Sequence, residues 1–411
     1  MNTPPPIVIV GSGQAAASFI SRHVRLDGAP PLVLVGEEPY APYQRPPLSK
    51  DCLLGKLETD RLLIRDPQWY AEQGVTTRFS TRIREIRTSR RQVISDQGDI
   101  LEYSKLVLCT GAGARTLPER MGGDLDGVFT LRTIADMQRL RPVLQPGRRL
   151  LILGGGYIGL EVAAVARQLG LEVTLLEMAD RILQRVADRE TSGFFRDLHR
   201  EHGVVLREST RVARLAGVDG RVRAAELESG ERIDADLVLV GIGSQPNTAL
   251  AESAGLECDN GIVVTETGRT SDPDIYAAGD CTSFVRNGVR VRLESVQNAA
   301  DQGDLVARVL GGEETAYTAV PWFWSEQYDC RLQIVGLNHG HTHTVLRRSG
   351  KDRSQSVWYY ADDRLLAIDA MNDTRSFALG RRIIEMGKHP SPEQVADPEV
   401  DLKALVRPPK R

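Results

Sequence analysis

The chain has 411 residues, 41% of them hydrophobic and 26% charged, with a formal net charge of −3. At roughly 100–200 residues per domain, this length suits two to four domains. The slight acidic excess argues against a nucleic-acid binder, which usually carries a basic excess, and no stretch approaches the ~20 apolar residues needed to span a membrane. Met1 to Pro6 shows neither the charged nor the apolar region of a secretory signal. Cys52, Cys109, Cys258, Cys281 and Cys330 are too widely spaced for a Cys-x-x-Cys pair. That spacing and the odd count point away from a disulfide framework or a zinc site. No metal is expected, and the expected compartment is the cytoplasm.

In chain order, Ile7–Val10 is a short, continuous apolar run that reads as a buried parallel strand. Gly11-Ser-Gly-Gln-Ala-Ala16 follows, then a helix to about Arg25, then a second strand at Leu32–Val35. This is a strand–helix–strand unit. Lys105–Cys109, running into Thr110-Gly111, reads as the closing strand of the same sheet. The pattern recurs about 140 residues later. Arg149–Leu153 leads into Gly154-Gly-Gly-Tyr157-Ile158-Gly159, a helix to about Leu169, and a strand at Glu172–Leu176. Asp236–Val240 closes that second sheet and runs into Gly241-Ile-Gly243, and Asp274–Asp280 is a further strand and turn.

From about Thr318 the texture changes. Trp322, Trp324 and Trp358 fall here, with strand-like runs at Ser356–Tyr360 and Leu365–Ala370 and a helix over Phe377–Met386. Arg407–Arg411 reads as a frayed tail. The fold class is therefore α/β: two Rossmann-type dinucleotide-binding domains plus a C-terminal α+β domain, a glutathione-reductase-like architecture. The expected divisions are 1–110 and 242–317 for one discontinuous domain, 111–241 for the second and 318–411 for the third.

Two glycine fingerprints carry the chemistry. In Gly11-x-Gly13-x-x-Ala16 the first glycine makes a tight turn, the second lets the backbone approach a pyrophosphate, and the small third residue allows close helix–strand packing. The phosphate then meets a helix N-terminus, whose unpaired N–H groups favour negative charge. Gly154-x-Gly156-x-x-Gly159 repeats the pattern. Each is followed about 20 residues on by an acid, Glu37 and Glu177, suited to ribose hydroxyls. Glu177 would repel a 2′-phosphate, which favours NADH over NADPH, although Arg181 lies close in sequence. Pro42-Tyr-Gln-Arg-Pro-Pro-Leu-Ser-Lys50 is a proline-stiffened stretch carrying Arg45 and Lys50, cations suited to an anionic cofactor.

The chain resembles the FAD-dependent ferredoxin reductases of bacterial oxygenase systems. The resemblance rests on Pro42–Lys50, Thr110-Gly111 with Arg115, Gly154–Glu161, Ala278-Gly-Asp280, Glu294-Ser-Val-Gln-Asn298 and Pro321–Gln327. It implies an NADH:ferredoxin oxidoreductase with FAD as cofactor and a small acidic 2Fe–2S ferredoxin as partner, feeding a Rieske-type oxygenase or a haem-thiolate monooxygenase. It places Gly11, Gly13 and Ala15 at the FAD pyrophosphate, Glu37 at its ribose and Ile83 at its adenine end. Arg45 and Lys50 would lie along the flavin, Arg132 would help fix FAD, and Asp280 would bind the ribityl–phosphate region. Val296 and Gln297 would face the flavin's pyrimidine edge, with Trp324 beside its ring. Glu161 would lie by the nicotinamide and pair with Lys50.

Two rival readings share this frame. Cys52, just after Lys50, could serve an NADH oxidase or peroxidase. A flavoprotein that senses NADH and signals through a partner is the other. The basic residues Arg331, Arg347, Arg348, Lys351 and Arg353 of the C-terminal domain are expected to supply a docking surface for an acidic ferredoxin, with Arg331 the preferred contact; the alternative is a plain solvated face.

Overall fold

The computed structural model describes residues 5–406; the Arg407–Arg411 tail lies outside the described residues. The chain forms two compact units. The first comprises the stretch ending at Arg45, Thr59–Gly113 and Ser244–Ala319. The second comprises Pro46–Glu58, Ala114–Gly243 and the stretch from Val320 onward.

In the first unit a five-stranded parallel sheet has the order Ile275–Ala277, Lys105–Leu108, Ile7–Val10, Leu32–Val35, Val75–Arg78. Every residue of Ile7–Val10 is buried, as a strand covered on both faces requires. The helices Gln14–His23 and Val296–Leu310 pack together beside it, contributing Ala15, Ala16, Phe19, Val306 and Ala307 to one core cluster. Gly303 is needed at that crossing, because a Cβ there would meet the Ala15 carbonyl oxygen at 2.2 Å. A three-stranded antiparallel sheet, Ile83–Arg87, Gln92–Ser95 and Ile100–Glu102, adds Ile83, Ile86 and Val93 to a second cluster.

In the second unit the parallel order is Val205–Arg207, Glu172–Leu176, Arg149–Leu153, Leu237–Val240, Val128–Phe129. The same unit holds the C-terminal antiparallel sheet, ordered Trp322–Gln327, Cys330–Gly336, Arg364–Met371, Gln355–Ala361, His343–Arg348. The helix Thr374–Glu385 lies on it, so close that a Cβ at Gly380 would overlap the Ile368 side chain.

Three features of the structure were not part of the sequence reading. Residues 46–58, Lys50 among them, are grouped with the second unit. The nucleotide-type sheet and the C-terminal sheet lie in the same unit. Side chains join them: buried Thr191 Oγ1 donates to Asp369 Oδ2 at 2.8 Å, and half-buried Thr344 Oγ1 to Asp188 Oδ2 at 3.0 Å. Finally, Arg347 is not part of a solvated basic face. Its guanidinium is buried and donates to the carbonyls of Val395, Asp397, Pro398 and Val400. Arg353 is paired with Glu201 and Asp329, and Arg331 lies 3.5 Å from Glu326, so the basic run is partly neutralised.

Candidate functional site

The first fingerprint is built for close backbone approach. Gly11 has φ +107°, and a Cβ there would sit 2.1 Å from the Cys109 carbonyl oxygen. At Gly13 a Cβ would meet nothing within 4 Å, and Gly13 caps the Gln14–His23 helix with no side-chain bond to its N–H groups. An open, uncapped helix start behind a strand is a phosphate cradle, and it fits a dinucleotide pyrophosphate. Ala15 is buried against Gly279, whose Cβ position lies 3.2 Å from the Ala15 Cβ.

The remaining candidates in this unit are held by their own contacts. Gly279 N–H donates to Gln302 Oε1 at 2.8 Å, which anchors the turn that carries Asp280 after the Ile275–Ala277 strand. Arg45 pairs with Glu38 at 2.7 Å and donates to the Tyr43 hydroxyl at 2.9 Å. Burial alone would lower its pKa, but Tyr43, Glu38 and Asp280 together raise it, which puts Arg45 and Asp280 in one electrostatic neighbourhood. Val296 and Gln297 open their helix after Ser295, whose side chain accepts from Asn298 N–H. Glu37 is 69% exposed and 3.8 Å from Arg82, the neighbour of buried Ile83. Thr110 and Gly111 are held by Asn247, which the sequence reading missed. Thr110 Oγ1 donates to Asn247 O at 2.8 Å, and Asn247 N–H donates to Gly111 O at 3.0 Å.

The second fingerprint repeats the geometry. Gly154 has φ +106°, and a Cβ there would lie 2.4 Å from Gly241 O. Gly156 faces open space and caps the Tyr157–Gln168 helix without a side-chain bond. Gly159 can only be glycine, since a Cβ would reach 2.1 Å from Gly154 O. The two carboxylate oxygens of Glu177 accept from Gly155 N–H at 2.7 Å and Ala179 N–H at 2.8 Å. Arg181 turns away from it and donates to Ala187 O and Ser192 Oγ, each at 2.7 Å. Ile158, Met178 and Ile242 are exposed apolar side chains, and Gly243, with φ +110°, has the Arg185 guanidinium beside it.

The same unit brings Lys50 and Glu161 together. Lys50 Nζ lies 2.9 Å from Glu161 Oε2, with side-chain exposures of 15% and 3%. Ser49 Oγ donates to the same oxygen at 2.5 Å, and Ser325 Oγ donates to Oε1 at 2.7 Å. Neither serine was singled out in the sequence. The Tyr157 ring packs on Phe323 at 4.6 Å, and Trp324 lies beside Phe323 and 5.5 Å from Trp322. Burial raises the Tyr157 pKa well above its ordinary value. Arg132 lies in the second unit, just before the Ile134–Leu140 helix, and its backbone N–H donates to Asp136 at 3.0 Å.

The Cys52 reading is disfavoured. The residue is fully buried, and burial, with Asp51 beside it, pushes its thiol up to about 11. A thiol nucleophile needs the opposite shift. Among the described residues no group of three or more His, Cys, Asp or Glu is placed to hold a metal ion, and no helix is long and apolar enough to cross a membrane.

Residues 5–303 match the family model described as pyridine nucleotide-disulphide oxidoreductase, and residues 322–406 match the one described as reductase C-terminal. The chain is 41% identical over 406 residues to a ferredoxin–NAD(P)(+) reductase of a Sphingomonas species, covering 98% of both chains. It is 40% identical over 413 residues to putidaredoxin reductase of Pseudomonas putida, covering 99% of this chain and 98% of that one. Among solved structures, that of the covalent putidaredoxin reductase–putidaredoxin complex matches with a TM-score of 0.95 and 39% identity, over 98% of this chain and 99% of the other.

Proposed function

We propose that this chain, which belongs to the pyridine nucleotide-disulphide oxidoreductase family, is a ferredoxin reductase that carries electrons from NADH through FAD to a 2Fe–2S ferredoxin. The single observation that carries the two-cofactor part is the doubled cradle. Two uncapped helix starts each follow a glycine with φ near +106°, at Gly11 and at Gly154. The ferredoxin part rests on the relatives, which are named as ferredoxin reductases at 40–41% identity over nearly their whole length.

The first unit would hold FAD. Gly11, Gly13 and Ala15 would take the pyrophosphate, Glu37 the ribose, and Ile83 the adenine end. Asp280 and Arg45 would meet the ribityl–phosphate region, and Val296 and Gln297 would present a helix start to the flavin, where the dipole favours added negative charge. The second unit would hold NADH. Gly154, Gly156 and Gly159 would cradle its pyrophosphate, with Ile158, Gly241 and Gly243 lining the cleft. Glu177, braced by two backbone N–H groups, would take the adenosine ribose. Tyr157, Lys50 and Glu161 would meet the nicotinamide end, with Trp324 on the neighbouring strand. FAD, when bound, accepts a hydride and releases its electrons singly, as the one-electron partner requires. The residues contribute stacking, orientation and charge; no side chain needs to move a proton in the hydride step.

The ferredoxin would serve a Rieske-type oxygenase or a haem-thiolate monooxygenase. The cytoplasm is the proposed compartment, on the ground that all five cysteines are free thiols. The purified protein should hold one FAD per chain and be bleached by NADH without oxygen. A colourless protein that binds no FAD, or a yellow one that NADH leaves unbleached, would contradict the reading.

A further inference from the structure

We propose that His199, Gln327 and Ser325 form a one-way hydrogen-bond relay that holds Glu161 as a pure acceptor toward Lys50, making them positioning residues for hydride transfer. The proposal rests on the reading above that Lys50 and Glu161 meet the nicotinamide.

The relay lies wholly within the second unit and can be followed atom by atom. His199 sits at the end of the Arg189–Glu201 helix and is buried. Its Nε2 is 2.8 Å from Gln327 Oε1, and its Nδ1 is buried with no hydrogen-bond partner among the described residues. Burial pushes its pKa down to about 4, so the ring is neutral and carries one proton. An amide oxygen can only accept, so that proton is on Nε2. Gln327 Nε2 then donates to Ser325 Oγ at 3.2 Å. The serine has a single proton, and with its oxygen already accepting, that proton goes to Glu161 Oε1 at 2.7 Å. On the other oxygen, Ser49 Oγ and Lys50 Nζ also donate. Every proton along the chain points at the carboxylate.

The opposite polarity is possible in principle. With the proton on Nδ1, His199 Nε2 would accept, the Gln327 amide would turn over, and Ser325 would donate to Gln327 instead of Glu161. That state loses a charge-assisted hydrogen bond, roughly twice as strong as a neutral one. It also buries an N–H group with no acceptor, which is costlier than the unpaired lone pair it replaces. The observed direction therefore wins. Its consequence reaches Lys50, which also donates to the Pro46 carbonyl at 3.3 Å. A carboxylate that keeps all its donors keeps its place, and so fixes the ammonium group beside it.

Two measurements on the FAD-loaded protein test this. In protein labelled with ¹⁵N-histidine, the His199 signals, identified by their loss in His199→Gln, should show the neutral Nε2–H tautomer. The Nδ1–H tautomer would overturn the relay. In stopped flow, Gln327→Leu and His199→Leu should slow flavin bleaching at saturating NADH by about tenfold, the effect of losing one such bond, with the NADH dissociation constant changed less than about twofold. His199→Gln, whose amide can still donate to Gln327, should recover most of the rate. Equal bleaching in wild type and both leucine variants would overturn the relay alone, whereas a wild type that NADH does not bleach would overturn the functional reading beneath it.

Discussion

Lys50 and Glu161 stand 111 positions apart in the chain, yet their charged groups meet at 2.9 Å, nearly out of water. A short turn, Pro46–Ser49, delivers the lysine, and the second fingerprint helix delivers the glutamate from its first turns. Burying two charges is costly unless each finds good partners. Here the carboxylate gains two serine hydroxyls as well as the ammonium group.

Removing one partner should therefore cost more than the pair is worth. Lys50→Met leaves the carboxylate buried without a cation, and a loss of about 3 kcal/mol is expected. Glu161→Gln keeps an acceptor for one serine and should cost less than half of that. Thermal unfolding of the FAD-loaded variants measures the difference; equal midpoints for both variants and wild type would mean that the pair contributes nothing.

Asp280→Ala should weaken FAD retention. The aspartate lies in the turn that follows the Ile275–Ala277 strand and shares its surroundings with Arg45. Loss of a polar contact to a charged group typically costs about 1.5–3 kcal/mol, so flavin should leave during extensive dialysis. A variant that keeps full flavin would show that Asp280 does not bind it.

Glu177→Ala should lower kcat/KM for NADH and narrow its advantage over NADPH. Two effects combine, because the carboxylate would meet the ribose in the proposed site and also braces Gly155 and Ala179. The loss of those backbone bonds should reduce NADH efficiency by about tenfold. Arg181 is already committed to Ala187 and Ser192, so it should not create a strong NADPH preference. Equal efficiencies with both nucleotides in the wild type would contradict the assignment.

Much of this architecture was legible locally. Ile7–Val10, Leu32–Val35, Arg149–Leu153 and Glu172–Leu176 form over the stretches expected, because a short apolar run ending in glycine leaves a buried parallel strand few alternatives. The helix expected at Phe377–Met386 begins earlier, at Thr374, where the Asp373 side chain caps it. What stayed hidden depends on chain segments that meet only in three dimensions. Nothing near Ser325 or His199 announces Glu161, which lies 164 residues from that serine. Arg347 looked like a surface cation beside Arg348 until residues 395–400 folded over it and offered four carbonyls.

Asp369 should make stability fall with pH. It is buried, with one oxygen unpaired, and burial raises its pKa from 3.8 to about 7. Below about pH 4 it is protonated both folded and unfolded. Between 3.8 and about 7 the unfolded chain sheds a proton that the fold retains, so rising pH costs stability; above about 7 that loss is complete. Asp369→Asn cannot lose this proton. Its unfolding midpoint relative to wild type should therefore rise by a few degrees from about pH 5 to about pH 8. A constant difference would mean that Asp369 does not titrate in this range.

The most direct test of electron delivery is to count products. Holoenzyme and limiting NADH would be mixed without oxygen with a 2Fe–2S ferredoxin, using putidaredoxin and the host's own ferredoxins, and the iron–sulfur absorbance followed. Because NADH yields two electrons and each cluster takes one, about two ferredoxins should be reduced per NADH, and none when FAD has been removed. If NADH bleaches the flavin but every ferredoxin stays oxidised, the protein is not a ferredoxin reductase.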